Sequence, residues 1–401
     1  MARLSTQEVA RRLGVKPETV YAYVSRGLLT SRRGAGGRTS TFDPKQVDAL
    51  LARQRRGGEE AVRTGITLID NGRYYYRGVD AVELARRYSY EAVAEWLWTA
   101  TLRPGMRFDA PARAVGTART AIDALPPHGS LMDKLRLAVV AAAVADPLRF
   151  ELADAMVTAT ARSMIATLVE CLPVLGRDVP ASASLAERLW PRLTAADAIE
   201  QGIRCVDAAL VLLIDHDLAA STFAARVAAS ARAHPYAVVS AALGPLEGPL
   251  HGAASGLAHR MLAEVLDGGT AARAVAEHLR AGRRIPGVGH RVYPASDPRA
   301  TLLFSLLEEV PGAEPVLRAA RDVVSTVSRE RPLYANVDLA LAALSVATAM
   351  PADAGEVIFA VGRVAGWMAH AQEEYSERPL RMRRRGEYTG PLPPQPLPQP
   401  A

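Results

Sequence analysis

The sequence predicts a predominantly α-helical body preceded by a small helix-turn-helix module. Two observations carry that reading. Beyond residue 63 and as far as about residue 375, apolar side chains recur at helical spacing, as in LMDKLRLAVVAAAVA, AMVTATARSMIATLVE and VDAALVLLIDHDLAASTFAARVAASARA. This is the pattern of helices with one face turned inward. Charge, by contrast, is concentrated at one end. Residues 1–56 carry 12 Lys+Arg against 4 Asp+Glu, a net +8, and the other 36 basic and 38 acidic residues give −2, which together make the chain's +6. Such asymmetry marks a separate module facing an anionic partner, with nucleic acid first in line.

The elements follow in order. STQEVARRLG opens a helix at Ser5 or Thr6, and Glu8 three residues after Ser5 makes a capping box. Leu4, Val9 and Leu13 lie at helical spacing, and Gly14 ends the run. KPETVYAYVSRG is a second helix with Pro17 in its first turn and Gly27 at its end. The short GVKPE turn between them completes a helix-turn-helix. A Gly/Arg loop, RRGAGGRTSTF, precedes a third helix, DPKQVDALLARQRR, starting near Asp43. RQRRGGEEAVR reads as the linker, with Gly57-Gly58 at the break in composition. TGITLIDNGRYYYRG is the only β-like run, two short strands about an Asn71-Gly72 turn. Helices then dominate until the tail PLPPQPLPQP, which is expected to be extended and without a core. No internal repeat is visible.

Composition removes several classes of function. With 401 residues, 49% apolar and 22% charged, the chain has the makings of a large packed core. Its longest stretch without a charged residue is fourteen, too short to span a bilayer. The opening MARLSTQEVARRLG lacks the apolar core of a secretory signal, and the cytoplasm is the expected compartment. Cys171 and Cys205 are too few for a disulfide framework or a Cys-based zinc site. No GxGxxG follows a strand. GAGGRTS at 34–40 echoes a phosphate loop but has Arg38 where Lys belongs. Asp215-His216-Asp217 lacks a second His one helical turn away, so it reads as a solvated helix-end cluster rather than a metal site.

Three histidines stand in surroundings that packing does not require. His216 interrupts an apolar helical run. His251 lies in the Gly/Pro-rich turn LGPLEGPLHGAASG, and His290 in IPGVGHRVYPASDPR. Glycines beside a polar side chain allow the backbone to approach a ligand closely.

These strings, in their order, resemble the citrate synthase family. The likeness begins at TGITLIDNGRYYYRGVDAVELA and continues through DHDLAASTFAARV, GPLHGAA, GVGHRVY with DPR, YANVD and FAVGRVAGWMAHAQEE to RRRGEYTGP, about residues 62–390. EVARRLGV with TVYAYVSRGLL resembles the MerR/excisionase-like helix-turn-helix group. That second resemblance implies Thr19, Tyr21 and Tyr23 near a DNA groove and Arg32, Arg33 and Arg38 on phosphates. A basic appendage that docks on the body or on a partner protein is the other reading of this module.

The first resemblance implies an all-α enzyme that condenses an acyl-CoA with a 2-oxo acid. Asp338 would remove the thioester methyl proton, His251 would hydrogen-bond the thioester oxygen, and His290 would serve the oxo-acid carbonyl. His216, Arg299 and Arg363 would hold the oxo-acid dianion. A third clamping arginine would come from a neighbouring subunit, hence a homodimer. Two registers are open for it. Arg378-Pro379 keeps the family's dipeptide, whereas Arg383 keeps the five-residue distance to Tyr388, and the distance favours Arg383. Two departures stand out. HGAAS replaces the family's HGGAN, and Pro294-Ala295 replaces a CoA-binding side chain, leaving Arg291 as the substitute.

The expected layout is a basic module at 1–56, a large domain at 57–251 and 346–390, a small domain at 252–345, and a tail at 391–401. Oxaloacetate and acetyl-CoA are the expected substrates, with no metal or redox cofactor and no membrane partner. Propionyl-CoA, giving 2-methylcitrate, is the alternative. A metabolite-responsive DNA-binding regulator is the alternative of another class.

Overall fold

The computed structural model describes residues 3–25, 28–33, 40–48, 50, 62–249, 251–328 and 333–383, with positions 386, 388–391, 394, 395 and 397 beyond. It divides into two compact units, Met1–Arg63 and Thr64–Ala401.

In the first unit the helix Thr6–Leu13 starts at Ser5, whose side chain and Glu8 form the expected capping box, and ends at Gly14 in the left-handed conformation (φ 67°). The second helix is Pro17–Ser25, and a third helical stretch occupies 44–48. The expected loop between them needs correction. Its flanks, Ser31–Arg33 and Ser40–Phe42, form an antiparallel hairpin, and Leu4–Ser5 pairs on the other side of Ser40–Phe42. The module is thus a winged helix-turn-helix. Phe42 anchors the strand: it is wholly buried with Val9, Leu13, Val20, Leu29, Val47 and Leu50, while Ser40 and Thr41 are only half-buried.

The second unit begins with the expected hairpin, Thr67–Asp70 paired with Arg73–Tyr76 about Asn71-Gly72, to which Val79–Asp80 adds a short third strand. Fifteen helices follow among the described residues, from Ala81–Arg87 to Ala354–Ser376. The last is the axle of the fold. Eighteen of its 23 residues are buried, including the polar Arg363, His370 and Glu374. Its sequence is apolar on all sides because helices pack all around it, among them Asp154–Glu170, Glu200–Leu212, Ala220–Ser230 and Pro235–Leu246. Among the described residues no helix is long and apolar enough to cross a membrane.

Candidate active site

A cavity of about 630 Å³ opens where five segments of the second unit meet, and His216, His251, His290, Arg299, Asp338 and Arg363 all line it. Exposed Arg283, Arg284 and Arg291 are at its rim.

Two of these segments are stitched together. Gly289 N–H donates to Tyr334 O (2.8 Å), Asn336 N–H to Gly287 O (3.0 Å), and the Asn336 side chain to Gly289 O (2.9 Å). Gly287 has φ 79°, and a Cβ there would stand 2.8 Å from Leu339 Cβ, so only glycine lets the His290 loop lie against the start of helix Val337–Ala347. Asn336 also caps that helix, accepting from Asp338 N–H (3.0 Å) and Leu339 N–H (3.4 Å). The capping position is therefore filled by Asn336. The Asp338 carboxylate takes no part in it, and its Oδ1 is shielded from solvent without a hydrogen-bond partner. Burial raises Asp338 from the ordinary 3.8 to about 7.

The arginines are set differently from each other. Gly362 and Gly366 lie one helical turn apart, and side chains there would collide with Leu210 O and Ile214 O. Their absence brings helix Ala354–Ser376 so close to the end of Glu200–Leu212 that Arg363 Nε donates to Leu213 O (2.6 Å). Arg363 Nη1 has no partner, and the guanidinium lies 4.7 Å from the centre of the Phe359 ring. Arg299 is gripped by Asp297 through Nε (2.9 Å) and Nη2 (2.8 Å). Asp297 also accepts from Val337 N–H (3.1 Å), tying the Arg299 helix to the Asp338 helix. Burial opposes Arg299's charge, but Asp297 more than offsets it and the guanidinium stays protonated.

All three histidines are held neutral. Burial, followed by the field of Arg299, Arg363 and His290, drives His216 well below its usual range. Burial and Arg363 lower His251 to about 4, and burial and Arg299 do the same to His290. His290 Nδ1 accepts from Val292 N–H (3.1 Å), so its proton sits on Nε2. His251 Nε2 is bonded to Ser221 Oγ (2.8 Å), leaving Nδ1 for a ligand, and His216 Nε2 is bonded to Tyr293 Oη (2.8 Å). The rings of His216 and His290 meet edge to face at 5.1 Å. The cavity thus joins an unpaired carboxylate, three neutral imidazoles and two guanidiniums, a set suited to abstracting a proton next to a carbonyl while binding a dianion.

Residues 57–385 match the family model described as citrate synthase, C-terminal domain. The chain belongs to the citrate synthase family. Among curated relatives, the citrate synthase of Haloferax volcanii is 33% identical over 344 residues, covering 80% of this chain and 90% of that one. Among solved structures, citrate synthase from Thermotoga maritima superposes with a TM-score of 0.69 at 29% identity, covering 85% and 96% of the two chains. That from Pyrobaculum aerophilum gives 0.70 at 27% identity, covering 85% and 93%. Citrate synthases are acyltransferases, and this chain is an enzyme of that class. Residues 3–55 match a helix-turn-helix domain model.

Against this family background, several residues without an expected role turn out to be part of the site. Ser221, Tyr293 and Asp297 each hold one of the expected residues, and Phe359 packs edge-on to His251 at 5.6 Å. Asp297 was legible as the i−2 neighbour of Arg299 at a helix start. Ser221 and Tyr293 carried no signal, since a hydroxyl's partner is fixed only by the fold. The solvated reading of 215–217 is corrected: Asp215 is wholly buried and His216 nearly so, and only Asp217 faces solvent. Among the described residues no cluster of His, Cys, Asp and Glu could hold a metal ion.

Arg383 does not line the cavity. It is exposed in the C-terminal segment, as is Arg378. In the first unit Tyr21 is exposed, Thr19 is half-buried, and Tyr23 packs against the module core. Arg32 is exposed, Arg33 belongs to the hairpin, and Arg38 lies outside the described residues.

Proposed function

We propose that the enzyme is a citrate synthase that condenses acetyl-CoA with oxaloacetate and hydrolyses the resulting thioester to citrate and CoA. The observation that carries this is Asp338: a carboxylate with a shielded, unpartnered oxygen and a pKa near 7, in one cavity with a neutral donor and two guanidiniums.

Asp338 takes a proton from the thioester methyl, and His251, steadied by Ser221, donates to the thioester oxygen as it gains charge. The enol carbon attacks the oxaloacetate carbonyl, to which His290 offers Nε2–H. Bound oxaloacetate brings two negative charges against Arg299, Arg363 and Arg383. Those charges raise the proton affinity of His290 and favour proton transfer within the site. His216 orients the oxo acid, Arg291 contacts CoA, and water hydrolyses the citryl thioester. Rotation of residues 252–345 over the rest of the body closes the cleft and excludes bulk water from the enol.

The enzyme works as a homodimer in which Arg383 enters the partner's site. An apolar stripe supports this assembly: Val140, Val144, Leu148 and Phe150, on helix Leu131–Ala145 and just past it, are 52%, 68%, 59% and 67% exposed. Acetyl-CoA is the favoured acyl donor over propionyl-CoA: apolar Pro249, Leu257 and Phe359 line the cavity, and Phe359 packs edge-on to His251 at 5.6 Å. The test is thiol release with oxaloacetate and each acyl-CoA. The expected kcat/KM favours acetyl-CoA by roughly tenfold or more, the worth of one methylene in a fitted pocket. A ratio reversed in favour of propionyl-CoA assigns 2-methylcitrate synthesis, and no release with either would return the fold to a sensor role.

The winged module supports a second activity in the same chain, binding of double-stranded DNA. Its +8 charge, the exposed Tyr21 on the second helix and Arg32 on the hairpin suit a groove and its phosphates. DNA retention by the full chain should weaken steeply with salt, with a log–log slope near −0.9 per phosphate contacted. Retention that is absent at low salt would leave the module as a docking appendage.

A further inference from the structure

We propose that Asp215 is a positioning residue for the oxo acid, and that a buried ladder of charge behind it ties the C-terminal segment to His216. The ladder runs through hydrogen bonds and, at one rung, through a close contact between His370 and Asp215. Asp215 Oδ2 accepts from Thr67 Oγ1 (2.5 Å) and faces His370 Nε2 (3.2 Å). His370 Nδ1 accepts from Arg226 Nη1 (2.6 Å), and because a guanidinium only donates, the His370 proton is fixed on Nε2, toward Asp215. Arg226 Nε donates to Glu374 Oε1 (2.6 Å) and Nη1 to Glu373 Oε2 (2.7 Å). Glu374 in turn accepts from Arg381 Nε (2.9 Å) and Nη2 (2.5 Å). Asp215, His370, Arg226 and Glu374 are wholly buried, while Glu373 and Arg381 are part-exposed at the outer end.

Where the ladder ends is what gives it a role. Its inner end is the residue before His216, on a turn whose backbone is pinned by Tyr76 Oη at Val211 O, Leu212 O and Asp215 O. Asp215 also faces the charge of Arg363. Its outer end lies two residues before Arg383, in a segment held by Leu380 N–H donating to Ser230 O (2.7 Å). Charges buried this deeply cannot be left unpaired, so removing one partner forces the next to re-pair and the disturbance travels inward. Loss of Arg381 frees one side of Glu374, Arg226 turns to it, and His370 and Asp215 lose their fixed orientation beside His216 and Arg363.

The inference rests on the reading of the cavity as an oxo-acid site. It is tested on the full-length enzyme by steady-state kinetics of Arg381→Leu, Arg381→Lys, Thr67→Val and the Thr67→Val/Arg381→Leu double variant. Thr67→Val is isosteric and acts at the inner end, away from the C-terminal segment. Each of Arg381→Leu and Thr67→Val is expected to raise the oxaloacetate KM about three- to thirtyfold, with the acyl-CoA KM changed less than about twofold. Arg381→Lys should recover most of the loss, and the double variant should fall well short of the product of the two single effects. Unchanged oxaloacetate KM, equal rises for both substrates, or fully multiplicative effects would overturn it. Absence of thiol release from the unaltered enzyme would instead sink the oxo-acid reading.

Discussion

Asp338→Asn is expected to lower kcat by roughly 10²–10⁴ while making the folded protein more stable at neutral pH. Both halves follow from one observation. Burial raises the Asp338 carboxyl from 3.8 to about 7, and its Oδ1 has no hydrogen-bond partner. The folded state therefore keeps this proton across a range of pH in which the unfolded chain has lost it. By linkage, its contribution to stability falls as pH rises from about 4 to about 7 and is lowest above that. Asn carries no charge to desolvate. Thermal melts should place the variant above the parent by roughly 1–3 kcal/mol at pH 8, with the gap closing toward pH 4. The same proton governs catalysis in the opposite sense, since only the ionised carboxylate accepts the methyl proton. The parent's kcat/KM for acetyl-CoA should fall about tenfold per unit below pH 7. Near-parental turnover by Asp338→Asn would remove Asp338 as the base. A loss of stability at pH 8 would show that the carboxylate is held by a partner.

Much of this site was legible because its chemistry is carried by unusual residues in unusual company. His216, His251 and His290 drew notice by their surroundings, while Asp338, Arg299 and Arg363 were named only through the resemblance to the citrate synthase family. All six line one cavity. Of the groups that hold them, Asp297 was legible as the near neighbour of Arg299, but Ser221 and Tyr293 were not, because they meet His251 and His216 only once segments apart in sequence have packed. The misreading of Asp215 has the same origin. Two acids flanking a histidine look solvated in sequence, and nothing local reveals that His370, 155 positions away, waits across a helix interface to pair with one of them. The wing of the first unit was missed for a different reason. Its strands are three residues each, too short for alternation to register, and Phe42 is the one residue whose burial fixes their register.

The assignment of Arg383 to the partner's site has a decisive test in complementation. Arg383→Ala alone is expected to raise the oxaloacetate KM strongly, and Asp338→Asn alone to lower kcat by roughly 10²–10⁴, so each homodimer is nearly inactive at low oxaloacetate. When the two variants are co-expressed and subunits assort at random, about half of the dimers are mixed. In a mixed dimer one site has its own Asp338 and receives Arg383 from the Asp338→Asn subunit, so it is intact. The other site has both defects. Activity should therefore recover to about a quarter of the parental value, with the parental oxaloacetate KM. If Arg383 served its own subunit, every site in the mixed dimer would keep one defect, and no recovery would appear. Arg378→Ala in place of Arg383→Ala should leave the homodimer's oxaloacetate KM unchanged, which separates the two registers by the same readout. Adding Val144→Asp to both chains places a charge in the exposed apolar stripe and should abolish the recovery by separating the subunits. Recovery that survives Val144→Asp would move the interface elsewhere while leaving the exchange of Arg383 intact.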